Sequence, residues 1–164
     1  MRELPQRKET RLKHFDYSTN GAYFITVCTE NHKCILSKIV GDGFPVPQLT
    51  ECGKITENIM NEIEIKYDNV RVDKYVIMPN HIHIILTISD VFGTGNPSPT
   101  VSNIIAWFKY TSTKLINQKY NSVGNRIFQR SFYDHIIRNE NDYKEIWQYI
   151  ENNPAKWLED KYYI

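Results

Sequence analysis

Residues 70–88 read VRVDKYVIMPNHIHIILTI, and this stretch decides the fold. Both halves are rich in β-branched residues, which favour extended strands. The first strand runs from Val70 and is stopped at Met78-Pro79-Asn80, and a second strand follows over His81–Ile88. The sequence therefore predicts two consecutive strands, with two histidines at the start of the second.

The segments on either side of this stretch predict an α+β domain. In chain order they are a strand at Ala22–Thr29, short strands at Ile35–Val40 and Val46–Leu49, a helix at Gly53–Tyr67, a helix at about residues 103–119 capped by Ser102, a partly extended segment at Ile127–Ile137 and a helix at about Glu140–Asn152. Such an order is typical of a mainly antiparallel sheet. We expect a ferredoxin-like α+β fold with the helices packed on one face.

Length and composition fit one soluble domain over residues 1–164. The hydrophobic content of 41% and the charged content of 24% are ordinary for a globular protein. Residues 1–20 form a basic N-terminal extension, and residues 93–100 (GTGNPSPT) are expected to be an internal flexible loop. No apolar run of about 18 residues and no secretory signal is visible, so no membrane partner is expected. The three cysteines suit reduced thiols in a cytoplasmic protein.

The charges are unevenly distributed along the chain, although the net charge is only +1. No acidic residue occurs between Val91 and Tyr133, and the first thirteen residues are also mainly basic. Candidate DNA contacts in and near these regions are Arg11, Lys109, Lys114, Arg126, Arg130 and Arg138. One surface could therefore be positive enough to bind phosphates. The alternative, that these residues form ordinary solvated faces, is equally compatible with the sequence.

The two histidines of Pro79-Asn80-His81-Ile82-His83 are the sharpest local feature. Residues two apart on a strand point to the same face, so both imidazoles lie side by side. Neutral imidazoles in this arrangement begin a divalent-metal site that needs a third ligand from elsewhere. On the short pattern alone, a polar histidine pair on a solvated strand face is the simpler interpretation.

The last predicted helix brings Tyr149 and Asn153 onto one face, because they are four residues apart. Tyr149 could act as a nucleophile, and Asn153 could bind a metal through its carbonyl oxygen. On the pattern alone, the simpler interpretation is that Tyr149 packs and Asn153 ends the helix before Pro154.

Three segments together resemble the single-tyrosine transposases. YVIMPNHIHIIL (residues 75–86) resembles their motif of two histidines. FQRSFYDHIIRNENDYKEIWQYIENNPAKW (residues 128–157) and RLKHFDYSTNGAYFITVCT (residues 11–29) resemble the later and opening segments of REP-associated tyrosine transposases. The resemblance implies a ferredoxin-like fold and recognition of single-stranded or hairpin DNA.

The resemblance also implies roles for individual residues. Tyr149 would be the catalytic nucleophile that forms a 5′-phosphotyrosine link, and His81 and His83 would assist it. His81, His83 and Asn153 would hold Mg²⁺ or Mn²⁺, with Asn153 in place of the glutamine of the broader family. No nucleotide cofactor is expected. A homodimer is possible, since members of the family occur in both states.

Two other functions remain compatible with the residues. A DNA-hairpin binding protein could keep the fold without cleaving DNA. A phosphodiesterase could use the two histidines to bind a metal without needing Tyr149. A purely structural protein would need none of these residues.

Overall fold

The computed structural model describes residues 20–89 and 98–164. In chain order, the elements are β1 (Gly21–Cys28), β2 (Ser37–Val40), β3 (Val46–Leu49), α1 (Glu51–Lys66), β4 (Val70–Ile77), β5 (His81–Ile88), α2 (Val101–Lys119), β6 (Tyr133–Ile137) and α3 (Glu140–Asn152), with 3₁₀ turns at Glu30–His32 and Pro154–Glu159. The predicted N-terminal extension and most of the predicted loop at residues 93–100 lie outside the described residues.

Four strands form one antiparallel sheet in the order β4-β5-β1-β6, and β2 pairs with β3 in a separate hairpin. Helix α1 connects β1 to β4 by way of the hairpin, and α2 connects β5 to β6. This strand order and these two helical connections make a ferredoxin-like βαββαβ core. The predicted fold class is therefore confirmed.

Strand β5 is buried on both of its faces. Ile82, Ile84 and Leu86 are fully buried in the main core, which also contains the apolar residues of α1 and α2. Ile85 points to the opposite face and packs in a second, smaller cluster. Because side chains alternate along a strand, His81 and His83 belong to this second face.

The third helix corrects the expectation that the helices share one face. Helices α1 and α2 pack in the main core, whereas Ile146 and Ile150 of α3 pack with Val76 and Ile85 in the second cluster. The physical reason is that the second face of the sheet is itself apolar and has to be covered. Helix α3 provides this cover at residues spaced for one helical face.

Helix α2 begins earlier than its sequence pattern indicated, and Ser102 is not its cap. The Thr100 side chain accepts a hydrogen bond from the Asn103 backbone N–H at 3.1 Å, and Thr100 has the extended backbone that a cap requires. Ser102 lies within the first turn instead. Among the described residues, no helix is both long and apolar enough to cross a membrane.

Gly53 allows α1 to lie directly against the segment that precedes the β2–β3 hairpin. A Cβ at this position would collide with the backbone carbonyl oxygen of Leu36. The same oxygen accepts hydrogen bonds from the Thr50 N–H and from the Thr50 hydroxyl, both at 3.0 Å. Because Thr50 is also the N-cap of α1, the start of the helix is fixed against this carbonyl.

We expect Gly53→Ala to lower the free energy of unfolding by about 1–3 kcal/mol, because the new methyl group forces backbone apart in a packed region. Asn61→Ala, at an exposed position in the middle of α1, is the matched control and should leave stability unchanged or slightly raised. Urea unfolding of both variants measures the effect. Equal stability of Gly53→Ala and the unchanged protein would contradict the close approach.

Candidate active site

Strand β5 places His81 and His83 side by side on the face that α3 covers. Their side chains are 0% and 1% exposed, and their ring centroids are 4.5 Å apart. The simpler interpretation of a polar pair on a solvated strand face is therefore wrong. A buried pair of imidazoles needs partners for its ring nitrogens, and these partners define the site.

The amide of Asn80 fixes the tautomer of His81. The Asn80 Nδ2 donates to the carbonyl oxygens of His32 at 3.3 Å and Tyr162 at 2.7 Å, so Oδ1 is the acceptor atom. This Oδ1 lies 2.9 Å from Nδ1 of His81. Nδ1 therefore carries the proton and donates it to Asn80, which leaves a lone pair on Nε2 of His81.

Strand pairing gives His83 its partner. Thr26 of β1 lies directly opposite His83 in the antiparallel register, and its Oγ1 is 2.8 Å from Nδ1 of His83. The other ring nitrogen, Nε2, faces the hydroxyl oxygen of Tyr149 at 3.4 Å. Strand β1 thus holds one side of the His83 ring, and the other side faces Tyr149 of α3.

Burial keeps both histidines neutral. It lowers the pKa of His83, and the neighbouring His81 and Lys161 lower it further. Burial also lowers the pKa of His81, although the Asp160 carboxylate acts in the opposite direction. Neutral imidazole is the form that binds metal ions, so both rings are available as ligands at neutral pH.

The C-terminal segment supplies a carboxylate that the sequence did not identify. The Asp160 side chain is 3% exposed, and its Oδ2 lies 3.9 Å from Nε2 of His81. One potential ligand atom from each of His81, His83 and Asp160 lies within 4.8 Å of the others. This segment packs against the sheet, with the ring centroids of Tyr162 and His81 4.5 Å apart. The backbone of this segment is irregular, so no periodicity in the sequence indicates which of its acidic residues points into the cluster.

Acceptor atoms face one another in this cluster without a donor between them. The Nε2 of His81 and the Oδ1 of Asn153 are buried, and neither has a hydrogen-bond partner among the described residues. The Asn153 Nδ2 donates to Oδ2 of Asp160 at 2.9 Å, which leaves its Oδ1 as the free atom. Nitrogen and oxygen acceptors in this arrangement suit a divalent cation.

Helix α3 brings Tyr149 to the edge of the cluster. Asn139 caps the helix by accepting from the Asp142 N–H, and Tyr143 attaches it to β4 by donating to Oδ2 of Asp73 at 3.0 Å. Tyr149 is 42% exposed, so it is only partly packed and remains accessible from solvent. Asn153 ends the helix, as the simpler interpretation had it, and its side chain also enters the cluster.

The Tyr149 hydroxyl is protonated at neutral pH. Burial and the nearby Asp160 carboxylate both raise the pKa of Tyr149. The hydrogen bond from Asn153 lowers this pKa, but it offsets only part of the rise. A phenol in this state is a weak nucleophile unless a cation or a base activates it. The arrangement places a cluster of potential metal ligands next to the phenol.

The cations predicted to contact DNA lie apart from this cluster. Lys109 donates to the carbonyl oxygens of Gln129 and Arg130 at 2.9 and 2.7 Å, so it holds the segment before β6 against α2. Arg126 pairs with Glu30 at 3.3 Å. The other predicted cations within the described residues are exposed: Lys114, Arg130 and Arg138. Arg11 lies outside the described residues.

Lys161 is a further cation that the sequence reasoning missed. It lines the surface grooves on both sides of Tyr149. Its neighbour Asp160 points into the cluster while Lys161 points outwards, next to the Tyr133 and Tyr162 rings. The backbone turns here, since the Tyr163 N–H donates to the carbonyl oxygen of Asp160, so residue spacing gives no sequence signal for this pair.

In the metal-free protein at pH 7, we expect His81 to carry its proton on Nδ1, because Asn80 presents an acceptor there. Long-range ¹H–¹⁵N correlation spectra of histidine-labelled protein distinguish the two ring nitrogens directly. A proton on Nε2 of His81 would contradict the orientation of the Asn80 amide. His135, which is partly exposed and bonded to Asp142 through Nε2, gives an internal reference for the opposite tautomer.

Comparison with known proteins identifies the family. The model of the family described as "Transposase IS200 like" matches residues 18–153. An uncharacterized protein of Haemophilus influenzae is 35% identical over 176 aligned positions, which cover 98% of this chain and 95% of the relative.

Among solved structures, the REP-associated tyrosine transposase bound to a REP hairpin has a similar fold, with TM-score 0.64, 21% identity and coverage of 90% of this chain and 74% of the other. A putative transposase from Deinococcus radiodurans matches with TM-score 0.52 and 16% identity over 87% of this chain and 95% of the other. The chain belongs to the IS200-like transposase family.

Proposed function

We propose that this protein cleaves and rejoins single-stranded DNA through a covalent link to Tyr149. The observation that carries the proposal is the position of the Tyr149 hydroxyl, 3.4 Å from His83 at the open edge of a buried ligand cluster. A half-exposed phenol beside such a cluster can reach a phosphodiester that approaches from solvent. Membership of a transposase family agrees with this chemistry.

The DNA substrate is proposed to be a hairpin with an adjoining single strand. A structure with the same fold is of a protein bound to a REP hairpin. A single strand is also a better substrate than a duplex, because pairing and stacking in a duplex would hide the bases next to the scissile phosphate from the protein. Exposed cations such as Lys114 and Arg138, together with the N-terminal Arg11, are proposed to contact the DNA backbone.

His81, His83, Asn153 and Asp160 would hold the divalent metal, Mg²⁺ or Mn²⁺. The buried acceptor atoms without partners fit this role, and the carboxylate supplies the negative charge that Mg²⁺ and Mn²⁺ prefer. When bound, the ion would polarise the scissile phosphate and stabilise the charge that develops on it. Asp160 thereby joins the three ligands that the family resemblance implied.

Tyr149 would act as the nucleophile in one in-line exchange at phosphorus. A bond forms between the Tyr149 oxygen and phosphorus while the bond from phosphorus to the 3′ oxygen breaks. The phenolic proton is lost, and a proton is taken up by the departing oxygen, which gives a 3′-hydroxyl and a 5′-phosphotyrosine. Attack by a 3′-hydroxyl reverses these bonds and rejoins DNA. Because the link conserves the bond energy, no nucleotide cofactor is needed.

We propose that one chain completes this site. His83 and Tyr149 already lie within contact distance of each other, and Asn153 and Asp160 come from the same helix end and tail. A homodimer is therefore not required to complete the active site.

Tyr149→Phe should abolish the covalent protein–DNA adduct while hairpin binding is retained, because only the nucleophilic oxygen is removed. Wild-type protein is mixed with Mn²⁺ and single-stranded DNA covering the palindromes beside its own gene, and adducts are resolved on a denaturing gel. Tyr110→Phe, at an exposed tyrosine of α2, is the matched control and should form adduct normally. Hairpin binding without any adduct in the wild type would favour a non-cleaving binding protein. Metal-dependent cleavage that survives Tyr149→Phe would favour a phosphodiesterase.

Asp160→Asn should weaken Mn²⁺ binding by at least about tenfold, since loss of outer-shell partners alone costs that much in metal sites. The substitution preserves shape and removes the charge of the ligand. Isothermal titration calorimetry measures the affinity, and Glu159→Gln, at the exposed neighbouring acid, should bind as the wild type does. Unchanged affinity in Asp160→Asn would limit the metal ligands to the histidines and Asn153.

A further inference from the structure

A second groove begins at Tyr149, and of its lining residues only His83 is a ligand of the proposed metal centre. Its volume is about 390 Å³, which is within the size range of small-molecule sites. Its walls include Phe24, Tyr133, His135, Asp142 and Lys161. It shares Tyr149 and His83 with the active site, so an occupant would adjoin the group that attacks the phosphate.

Aromatic rings form the floor and one wall of this groove. Phe24 contacts Tyr149 edge to face, with ring centroids 6.0 Å apart, and contacts Tyr133 in the same way at 6.2 Å. Phe24 is partly buried, whereas Tyr133 is 46% exposed. An exposed ring at the mouth of a groove offers a stacking surface for a nucleobase.

A polar group of defined orientation lies next to these rings. His135 lies beside Phe24 in the β1–β6 register, and its Nε2 lies 3.0 Å from Oδ2 of Asp142. The same carboxylate oxygen accepts from the Arg138 N–H, so Asp142 has two partners in the protein. Asp142 thereby orients His135, and a fixed imidazole can form hydrogen bonds with the edge of a base.

Charge distinguishes this groove from the one on the other side of Tyr149. The other groove is lined by three carboxylates and two lysines, so its acidic side chains outnumber its basic ones: Glu145, Glu159, Asp160, Lys156 and Lys161. The groove beside Tyr133 contains one carboxylate, already bonded to His135, and the ammonium group of Lys161 lies 5.7 Å from the Tyr133 ring centroid. A cation next to a stacking ring suits a nucleotide, whose base and phosphate are neighbours.

We propose that the groove between Phe24, Tyr133 and His135 binds the base of a nucleotide adjacent to the scissile phosphate, with Lys161 contacting that nucleotide's phosphate. The proposal rests on the proposed DNA cleavage at Tyr149 for its function, but the binding site stands on its own geometry. Stacking on Tyr133 gives affinity, and His135 gives preference among bases. The groove is therefore a determinant of where the strand is cut.

The first test measures nucleotide binding without cleavage. Deoxynucleoside 5′-monophosphates are added to labelled full-length protein, and NMR signals of Phe24, Tyr133 and His135 are followed. We expect these signals to shift, with different affinities for the four bases, while inorganic phosphate shifts only signals near Lys161. Equal shifts with inorganic phosphate and with the nucleotides would reduce the site to a phosphate site and overturn the proposal.

Tyr133 substitutions test the stacking contact. Tyr133→Leu should weaken nucleotide binding about tenfold, as expected for loss of one base-stacking ring, whereas Tyr133→Phe should retain it. Tyr110→Leu, at another exposed tyrosine, is the control for general loss of an aromatic ring. Thermal unfolding of each variant verifies folding. Nucleotide affinity in folded Tyr133→Leu that equals the wild-type value would overturn the proposal.

The third test links the groove to cleavage. An abasic nucleotide is placed on either side of the cut in the DNA strand that forms an adduct. With the abasic nucleotide at one of the two positions, the wild type should form adduct about tenfold more slowly than with the intact strand. Tyr133→Leu already lacks the stacking ring, so the abasic nucleotide at that position should not slow it further. If the abasic nucleotide slows adduct formation equally in both proteins, the link between the groove and cleavage is overturned. If no strand forms an adduct, the proposed cleavage fails, and the NMR titration still decides the binding site.

Discussion

The burial of β5 on both faces is the constraint on which the rest of the structure depends. Its isoleucines at even positions join α1 and α2 in the main core, and its other face carries two histidines that would be unfavourable without partners. Burying that second face requires α3 and the C-terminal segment, and these bring Tyr149, Asn153 and Asp160 with them. One strand therefore fixes both the fold and the place of the site. Its neighbour β1 contributes the Thr26 contact through ordinary strand pairing.

Most of the fold could be predicted because local patterns agree with the tertiary structure. The strands and helices were identified from β-branched runs and helical periodicity, and their order indicated the ferredoxin-like sheet. The position of α3 could not be derived in this way. Its apolar face is evident from Ile146 and Ile150, but nothing local indicates which side of the sheet that face will cover. The start of α2 was also misjudged, since Thr100 and Ser102 are both acceptable caps by residue type and only the backbone distinguishes them.

The candidate site was predictable to the extent that its residues share an element. His81 and His83 share a strand face, and Tyr149 and Asn153 share a helix face, so each pair follows from periodicity. Only the family resemblance implied that the two pairs belong to one site. In the structure, the Tyr149 hydroxyl lies 3.4 Å from Nε2 of His83. Asp160 and Lys161 lie in an irregular tail, and Asn80 and Thr26 act through contacts that depend on tautomer and register. None of these four could be assigned a role from spacing, because each role depends on a contact with a segment that is distant in sequence, such as that of Asn80 with Tyr162.

The facing acceptors of His81, Asn153 and Asp160 have a consequence for the folded state as a whole. In the absence of a cation, the Nε2 of His81 and the Oδ1 of Asn153 are buried without partners among the described residues, which costs free energy in the folded state. A cation that binds this arrangement binds the folded chain and not the unfolded one, so mass action links the two equilibria. At a free metal concentration one hundred times the dissociation constant, this linkage contributes about 2.7 kcal/mol to stability. On the proposed metal centre, the supply of metal would set how much of the protein is folded as well as how fast it reacts.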